Sequence, residues 1–185
     1  MFDNILCVLF YPTDGYDCLR RTKPFGQAIV IYLCIYVIAI LKVFFTHWPL
    51  AAVRPENTNL IFEICKLLIP LMSFVLVSYG LSTLHDGEAK IGDIFIGTAF
   101  SMIPFILLTP LIFLLSHILS VSDLGIYNGL NIVMWVWIFY QFYRQVNVLN
   151  NYTFPQTIGL MVLTVCGVMA IWALVALLYL LTRNL

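Results

Sequence analysis

The chain has 185 residues, and 62% of them are hydrophobic. Soluble domains are usually about 45–50% apolar, and together with a mean hydropathy of +0.99 this excludes an ordinary soluble domain. Nine basic and nine acidic residues leave no formal net charge, which removes the electrostatic basis for binding nucleic acid. We therefore expect an integral membrane protein whose main partner is the lipid bilayer.

Residues 1–24 predict a segment that lies in the membrane interface and does not cross it. Apolar side chains recur at helical spacing over Phe2–Phe10, beside Asp3, which is typical of a short amphipathic helix. Residues 11–16 contain a proline and a glycine and predict a turn. A second short polar helix is expected to follow. The early acidic residue and the short apolar stretch predict no cleavable signal peptide.

Residues 25–185 predict one all-α domain, a bundle of five transmembrane helices. A helix needs about 20 apolar residues to cross about 30 Å of hydrocarbon, and five stretches reach or approach that length. The predicted spans are Phe25–Phe45, Leu60–Leu84, 94–115, 126–143 and 154–181. Proline is tolerated inside such helices, so kinks are expected at Pro70 in the second span and at Pro104 and Pro110 in the third.

The predicted fourth span is short and rich in aromatic residues. Such a run is typical of an interfacial belt and of side chains that face lipid. The same span contains the amides of Asn128, Asn131 and Gln141, which need hydrogen-bond partners inside the bundle. At least one face of this helix is therefore expected to be buried in protein.

Basic residues near the ends of the spans predict the orientation. The opposite side from the N-terminus holds Arg54 and Arg183, and Lys42 and Lys66 lie toward the same ends of their helices. The basic residues on the N-terminal side are Arg20, Arg21, Lys23, Lys90 and Arg144. Because charges before the first span usually dominate, we expect a cytoplasmic N-terminus and an external C-terminus.

A polar turn separates the second and third spans. It contains His85, Asp86, Glu88, Lys90 and Asp93, in a chain where only 10% of residues are charged. This density predicts that the chain reaches water here. Several of these side chains are potential metal ligands, but the turn is short, and a solvated turn whose last acid caps the third span is the favoured interpretation. No metal site is predicted.

Three ionisable residues fall inside the spans: Lys42, Glu63 and Lys66. Ionisable groups within a membrane are costly and are functional candidates by default. Glu63 and Lys66 are three residues apart on one helix, and antiparallel packing of the first two spans would bring Lys42 near them. One interpretation is a proton or ion site, and the other is mutual neutralisation that joins two helices.

No catalytic or cofactor motif is recognisable. Ser101, Ser116, His117 and Asp123 do not form a known nucleophile arrangement, and a hydroxyl inside a span usually bonds to helix backbone or to a neighbour. The scattered cysteines are interpreted as small apolar residues. We therefore predict no enzymatic activity and no cofactor. The cysteines are Cys7, Cys18, Cys34, Cys65 and Cys166.

Three stretches together resemble the Yip1 family, specifically its short bacterial branch. Residues 9–16 read LFYPTDGY and are similar to the opening proline-x-aspartate-glycine-aromatic signature of that branch. Residues 84–90 read LHDGEAK and resemble its acidic, glycine-containing turn. Residues 98–105 read TAFSMIPF and are similar to the small-aromatic-x-x-x-proline pattern of its third span. With the five predicted spans, the resemblance covers nearly the whole chain.

The resemblance implies five transmembrane helices, a cytoplasmic N-terminus, no enzymatic activity and, for the bacterial branch, the cytoplasmic membrane. The chain lacks the long N-terminal region of the eukaryotic members, and Ala99 stands where a glycine commonly precedes the aromatic residue. The association of those members with Rab-type GTPases is therefore not transferred to this chain.

The leading hypothesis is a non-enzymatic scaffold or accessory protein that docks another membrane protein, such as a transport complex, at its cytoplasmic face. The alternative is a small transporter or ion-conducting or proton-conducting protein that uses Lys42, Glu63 and Lys66, with bent helices at its prolines. The predicted docking residues are Asp14, Gly15, Tyr16, His85, Asp86, Gly87 and Glu88.

Overall fold

The computed structural model describes residues 2–46 and 60–183, and all regular structure in these two ranges is helical. Over these ranges eight α-helices follow one another, with a 3₁₀ turn at Val121–Asp123 before the last two. The helices are α1 (Phe2–Phe10), α2 (Pro12–Thr22), α3 (Phe25–Phe45), α4 (Leu60–Leu84), α5 (Ile91–Ser101), α6 (Ile103–Ser116), α7 (Leu124–Asn150) and α8 (Phe154–Arg183).

The N-terminal segment forms a helical hairpin of α1 and α2. The predicted amphipathic helix is confirmed, but the turn predicted for residues 11–16 is wrong, because α2 already begins at Pro12. Proline suits the first turn of a helix, where its missing N–H would have no helical partner and its φ is already helical. Asp14, Gly15 and Tyr16 therefore lie on a helix. Lys23 ends α2 in the left-handed region, with φ of 45°, and its N–H bonds to Leu19 O.

The predicted third span is broken into two helices. α5 ends at Ser101 and α6 begins at Ile103, with Met102 between them at φ −88° and ψ 3°. Pro104 has no N–H for the Phe100 carbonyl, and its ring would meet that carbonyl in a continuous helix. The expected kink at Pro104 is therefore a break, whereas α4 and α6 continue through Pro70 and Pro110.

Within the described residues, four helical stretches are long and apolar enough to cross a membrane. They correspond to the first, second, third and fifth predicted spans, so the chain is an all-helical membrane-type protein. The stretches are Phe25–Phe45, Ile64–Leu84, Ile91–Ser116 and Phe154–Leu174. The predicted fourth span lies within α7, which is long enough but is not among them; its sequence includes the polar amides of Asn128, Asn131 and Gln141.

The two halves of the broken span form the centre of the bundle. In the most apolar stretch of Ile91–Ser116, 61% of the residues are buried, against 17% in Phe154–Leu174. α5 and α6 contact α3 and α7, and α5 also contacts α2 and α4. The core therefore follows the broken span, and over Phe154–Leu174 α8 presents most of its surface outward.

The bundle has two ends. One carries α1, α2 and the loops 85–90 and 151–153, and it is called the hairpin end below. At the opposite end, the far end, the His117 ring nitrogen Nε2 lies 2.8 Å from Phe45 O, which joins the ends of α6 and α3. α7 runs between them: Asp123 precedes it at the far end, and Asn150 closes it at the hairpin end, where its side chain bonds to Ser82.

Candidate docking site at the hairpin end

The phenol of Tyr16 anchors the hairpin in the bundle. Its side chain is fully buried, and its oxygen lies 2.7 Å from Ser101 Oγ and 3.2 Å from Gln141 Oε1. Burial raises the pKa of Tyr16 well above its usual range, so the phenol stays neutral and able to donate a hydrogen bond. Gly15 lies beside it against α1, where a Cβ would come within 2.7 Å of Val8 Cα. The hairpin therefore packs as one unit.

Two glutamines on α7 connect that anchor to α1 and α5. Gln141 Nε2 donates to Val8 O on α1 at 3.2 Å. Gln145 accepts from the Ser101 hydroxyl at 2.9 Å, and its Nε2 donates to Ile94 O at 3.0 Å and to Thr98 Oγ1 at 3.1 Å, both on α5. Both amides are buried and bonded through oxygen and nitrogen alike. The expectation that Gln141 needs a partner inside the bundle is confirmed.

A second network holds the loop between α4 and α5. The Ser82 hydroxyl and the Ala89 N–H both donate to Oδ1 of Asn150, the latter at 3.3 Å. The Tyr152 hydroxyl reaches His85 O at 2.9 Å and Ser82 O at 3.3 Å. Residues from the end of α4, the end of α7 and the start of the loop before α8 are therefore tied together. This gives the turn a defined shape.

The backbone of the turn depends on Asp86 and Gly87. Asp86 is exposed and has φ of 55°, in the left-handed region that aspartate and asparagine tolerate better than most residues. The Gly87 N–H donates to Ser82 O at 2.8 Å. A Cβ on Gly87 would lie against the side-chain oxygens of Ser82, Asn150 and Tyr152. Glycine is therefore required by a close approach and not by its backbone angles.

Two ion pairs connect the hairpin to this turn and to the first turn of α5. Arg20 Nη2 lies 2.6 Å from Glu88 Oε2, and Asn151 Nδ2 donates to the same oxygen at 3.4 Å. The hydrogen bond from Arg20 is the largest influence that lowers the pKa of Glu88. Lys23 Nζ lies 3.7 Å from Oδ1 of the buried Asp93. Asp93 Oδ2 accepts the Lys90 N–H at 3.2 Å, so the predicted capping role of Asp93 is confirmed.

The predicted docking residues meet at this end but differ in access. The side chains of Asp14, His85, Asp86 and Glu88 are exposed, whereas Gly15 and Tyr16 are buried and Gly87 is only partly accessible. Their role in docking stays a prediction. The sequence pattern did not indicate Ser82, Gln145, Asn150 or Tyr152. The spacing of Gln141 and Gln145, four residues apart on one helix, was the available signal for part of this network.

The structure describes two of the three predicted intramembrane charges. Lys42 Nζ donates to Asn131 Oδ1 on α7 at 3.3 Å. Lys66 is exposed on α4. The side chain of Glu63 lies outside the described part of the chain, so its expected approach to Lys42 stays a prediction.

The described ranges contain no candidate metal site. No three His, Cys, Asp or Glu side chains there are arranged to hold a metal ion. Polar groups at the hairpin end are instead bonded to one another, which makes this end a surface of defined shape. Comparison with protein-family models, with curated proteins and with solved structures finds no match for the chain.

Proposed function

We propose that the chain is a non-enzymatic scaffold or accessory protein that docks a partner membrane protein through the hairpin end. One observation supports this above the others. The turn at residues 85–88 is held by hydrogen bonds from α4, α7 and the loop before α8, while Asp86 and Glu88 remain accessible to solvent. A surface that keeps its shape before binding loses less conformational entropy when a partner docks.

We also propose that the chain crosses the membrane five times, with α7 as the fourth crossing. α7 has 27 residues, which at 1.5 Å per residue span about 40 Å. It extends from the far end to the hairpin end and packs against α2, α5, α6 and α8. Its amides face protein partners, as with Gln141 and Gln145, so its polarity does not prevent it from lying in a bilayer.

We place the hairpin end in the cytoplasm of a bacterial cell, with the C-terminus of the chain external. Arg20, Arg21 and Lys23 lie on or directly after α2 and Lys90 precedes α5, so the basic residues gather at this end. The resemblance to the short bacterial branch of the Yip1 family supports the same orientation. The partner surface is expected to offer basic or hydrogen-bond-donating groups to Asp86 and Asp14.

The test is purification from the native membrane in mild detergent, with mass spectrometry of the proteins that remain bound. Asp86→Asn removes one charge and keeps a residue that tolerates the left-handed backbone. Asp123→Asn is the matched control, because it makes the same chemical change at the far end, where Asp123 accepts hydrogen bonds from Ser120. A stoichiometric partner lost with Asp86→Asn and retained with Asp123→Asn supports the proposal. Equal retention in both variants contradicts it.

The break at Met102 favours transport as a second candidate function. Discontinuous helices often form substrate sites near the middle of the membrane. However, Ser101 and Gln145 beside this break are neutral and bonded to each other. Among the described residues, Asp93 is the only buried acidic or basic side chain, and it lies at the hairpin end. If Glu63→Gln abolishes a flux measured in liposomes and the variant remains folded, the scaffold proposal fails.

A further inference from the structure

An apolar groove of about 290 Å³ lies between α4, α7 and α8, beside the break between α5 and α6. Among the described residues that line it, Lys66 is the only charged one. The groove is open on one side, where Phe139 and Val165 of its lining are 58% and 46% exposed. Its lining includes Phe74, Met102, Trp135, Phe142, Met161 and Met169.

The groove extends from the middle of the bundle toward the far end. α4 reaches the hairpin end at Leu84, so Phe74 lies about 15 Å and Lys66 about 27 Å from that end at 1.5 Å per residue. The rings of Phe74 and Phe142 pack with centroids 4.7 Å apart. Trp135 lies farther toward the far end on α7, with its ring 6.5 Å from that of Phe105. The depth of the groove corresponds to one leaflet of a bilayer whose hydrocarbon is about 30 Å thick.

We infer that this groove binds an acyl chain of an anionic phospholipid from the leaflet at the far end, with the lipid phosphate beside Lys66. At this depth the surroundings are hydrocarbon, so an apolar occupant comes from the bilayer. Methionine side chains such as Met161 and Met169 adapt to an irregular flexible chain. The Lys66 ammonium has three donors on a flexible stem, which allows it to serve a phosphate together with another acceptor.

This inference does not rest on the docking function, because the lining of the groove includes none of the predicted docking residues. A lipid bound here would join α4, α7 and α8, and α8 is otherwise the helix with the fewest buried residues among the four apolar stretches. The groove is therefore expected to be a lipid site that completes the packing of α8.

The test uses the full chain reconstituted in nanodiscs of mixed phosphatidylglycerol and phosphatidylcholine, released into detergent for native mass spectrometry. Val165→Trp places an indole in the groove, and Val162→Trp is the matched control, one turn away on the same helix and outside the lining. Both valines are about half exposed, at 46% and 56%. We expect retained phospholipid to be lost with Val165→Trp and kept with Val162→Trp.

Lys66→Gln tests the phosphate contact separately and changes an exposed position, so it does not depend on the folding of the filled variant. It is expected to lower the preference for phosphatidylglycerol over phosphatidylcholine about two- to fivefold, as for an exposed ion pair. Lys66→Arg should retain the preference. These ratios come from the masses of the lipids that remain bound.

Several results would overturn the inference. They are equal lipid retention in the two tryptophan variants, an unchanged lipid preference in Lys66→Gln, or a second copy of the chain or another protein bound at the groove in place of lipid. Loss of retained lipid with an intact partner complex would support the lipid site and leave the docking function standing. Loss of the partner with Asp86→Asn alone would affect only the docking function.

Discussion

The hairpin end and the apolar groove represent two ways of packing helices in one molecule. At the hairpin end, buried polar side chains are bonded to one another across four helices, as at Tyr16, Gln141 and Gln145. In the groove, the facing side chains are apolar and leave about 290 Å³ between them. Hydrocarbon provides no hydrophobic force between helices, so hydrogen bonds and close contact determine which helices meet.

The hairpin end therefore has one defined shape, whereas the groove can adjust its shape to an occupant. A buried hydrogen-bonded network accepts only one arrangement, because an unpaired polar group costs more than the bond itself contributes. An apolar lining that contains Met161 and Met169 accepts several arrangements at similar energy. A surface for specific docking and a site for a flexible lipid chain therefore have different requirements, and α7 contributes to both: Gln141 and Gln145 belong to the bonded network, whereas Phe139 and Phe142 line the groove.

The largest expected effect is the removal of the hairpin anchor. Tyr16→Ala deletes a fully buried aromatic side chain and should lower the free energy of unfolding by roughly 3–5 kcal/mol. Tyr11→Ala in the same hairpin, where the side chain is 68% exposed, should change it by less than about 0.5 kcal/mol. Denaturant unfolding in micelles and limited proteolysis of the N-terminal segment measure both.

The cost of removing Tyr16 can be compared with the cost of removing an aromatic side chain from the groove. Phe139 lines the groove and is 58% exposed, so Phe139→Ala should cost much less than Tyr16→Ala. If the two substitutions lower the free energy of unfolding equally, the distinction between a bonded end and an adaptable groove is wrong.

The sequence was sufficient to predict helices that are marked by a long run of apolar residues. The bounds predicted for the first two spans, Phe25–Phe45 and Leu60–Leu84, agree with α3 and α4, because polar or proline-containing segments flank both runs. Where a turn or a kink was predicted from a proline, the outcome differed with the position of that proline relative to its helix. Pro12 begins a helix, Pro70 lies within one and Pro104 follows a break.

The contacts between helices could not be predicted in the same way. Tyr16 was placed in a turn, and its burial depends on α2 lying against α5 and α7, which no local pattern encodes. Likewise, Asn131 was expected to need a partner inside the bundle, and α3 provides it through Lys42. Charge and amide patterns indicated that these side chains need partners, whereas the helix arrangement determines which partners they find.

A smaller effect is expected at Gly87, where the loop between α4 and α5 lies close to Ser82, Asn150 and Tyr152. Gly87→Ala would place a methyl group against three side-chain oxygens and should destabilise the fold by about 1–3 kcal/mol, as overpacking does. Gly80→Ala on α4 is the matched control, since a Cβ there meets nothing within 4 Å. That change should be neutral or stabilising by up to about 1 kcal/mol. Thermal unfolding in one detergent compares the two, and equal shifts would contradict the close approach at Gly87.

The smallest effect concerns the ion pair between Arg20 and Glu88, which makes the stability of the hairpin end depend on pH. The pKa of Glu88 is lowered in the folded state, first by the hydrogen bond from Arg20. A lowered pKa stabilises the fold above the unfolded value of about 4.3 and loses that contribution as the pH falls through the folded pKa. Glu88→Gln should therefore be slightly less stable than the native chain at neutral pH, with the difference vanishing in acid.

Thermal unfolding measured from neutral pH down to below about pH 4 would reveal this convergence. Arg20→Gln should remove the same pH dependence, and the double variant should add nothing further, because both changes delete one interaction. Val165→Leu in the groove introduces no ionisable group, so its effect should be constant over the same range. A gap between Glu88→Gln and the native chain that persists in acid would mean that Glu88 stabilises the turn through its shape and not through its charge.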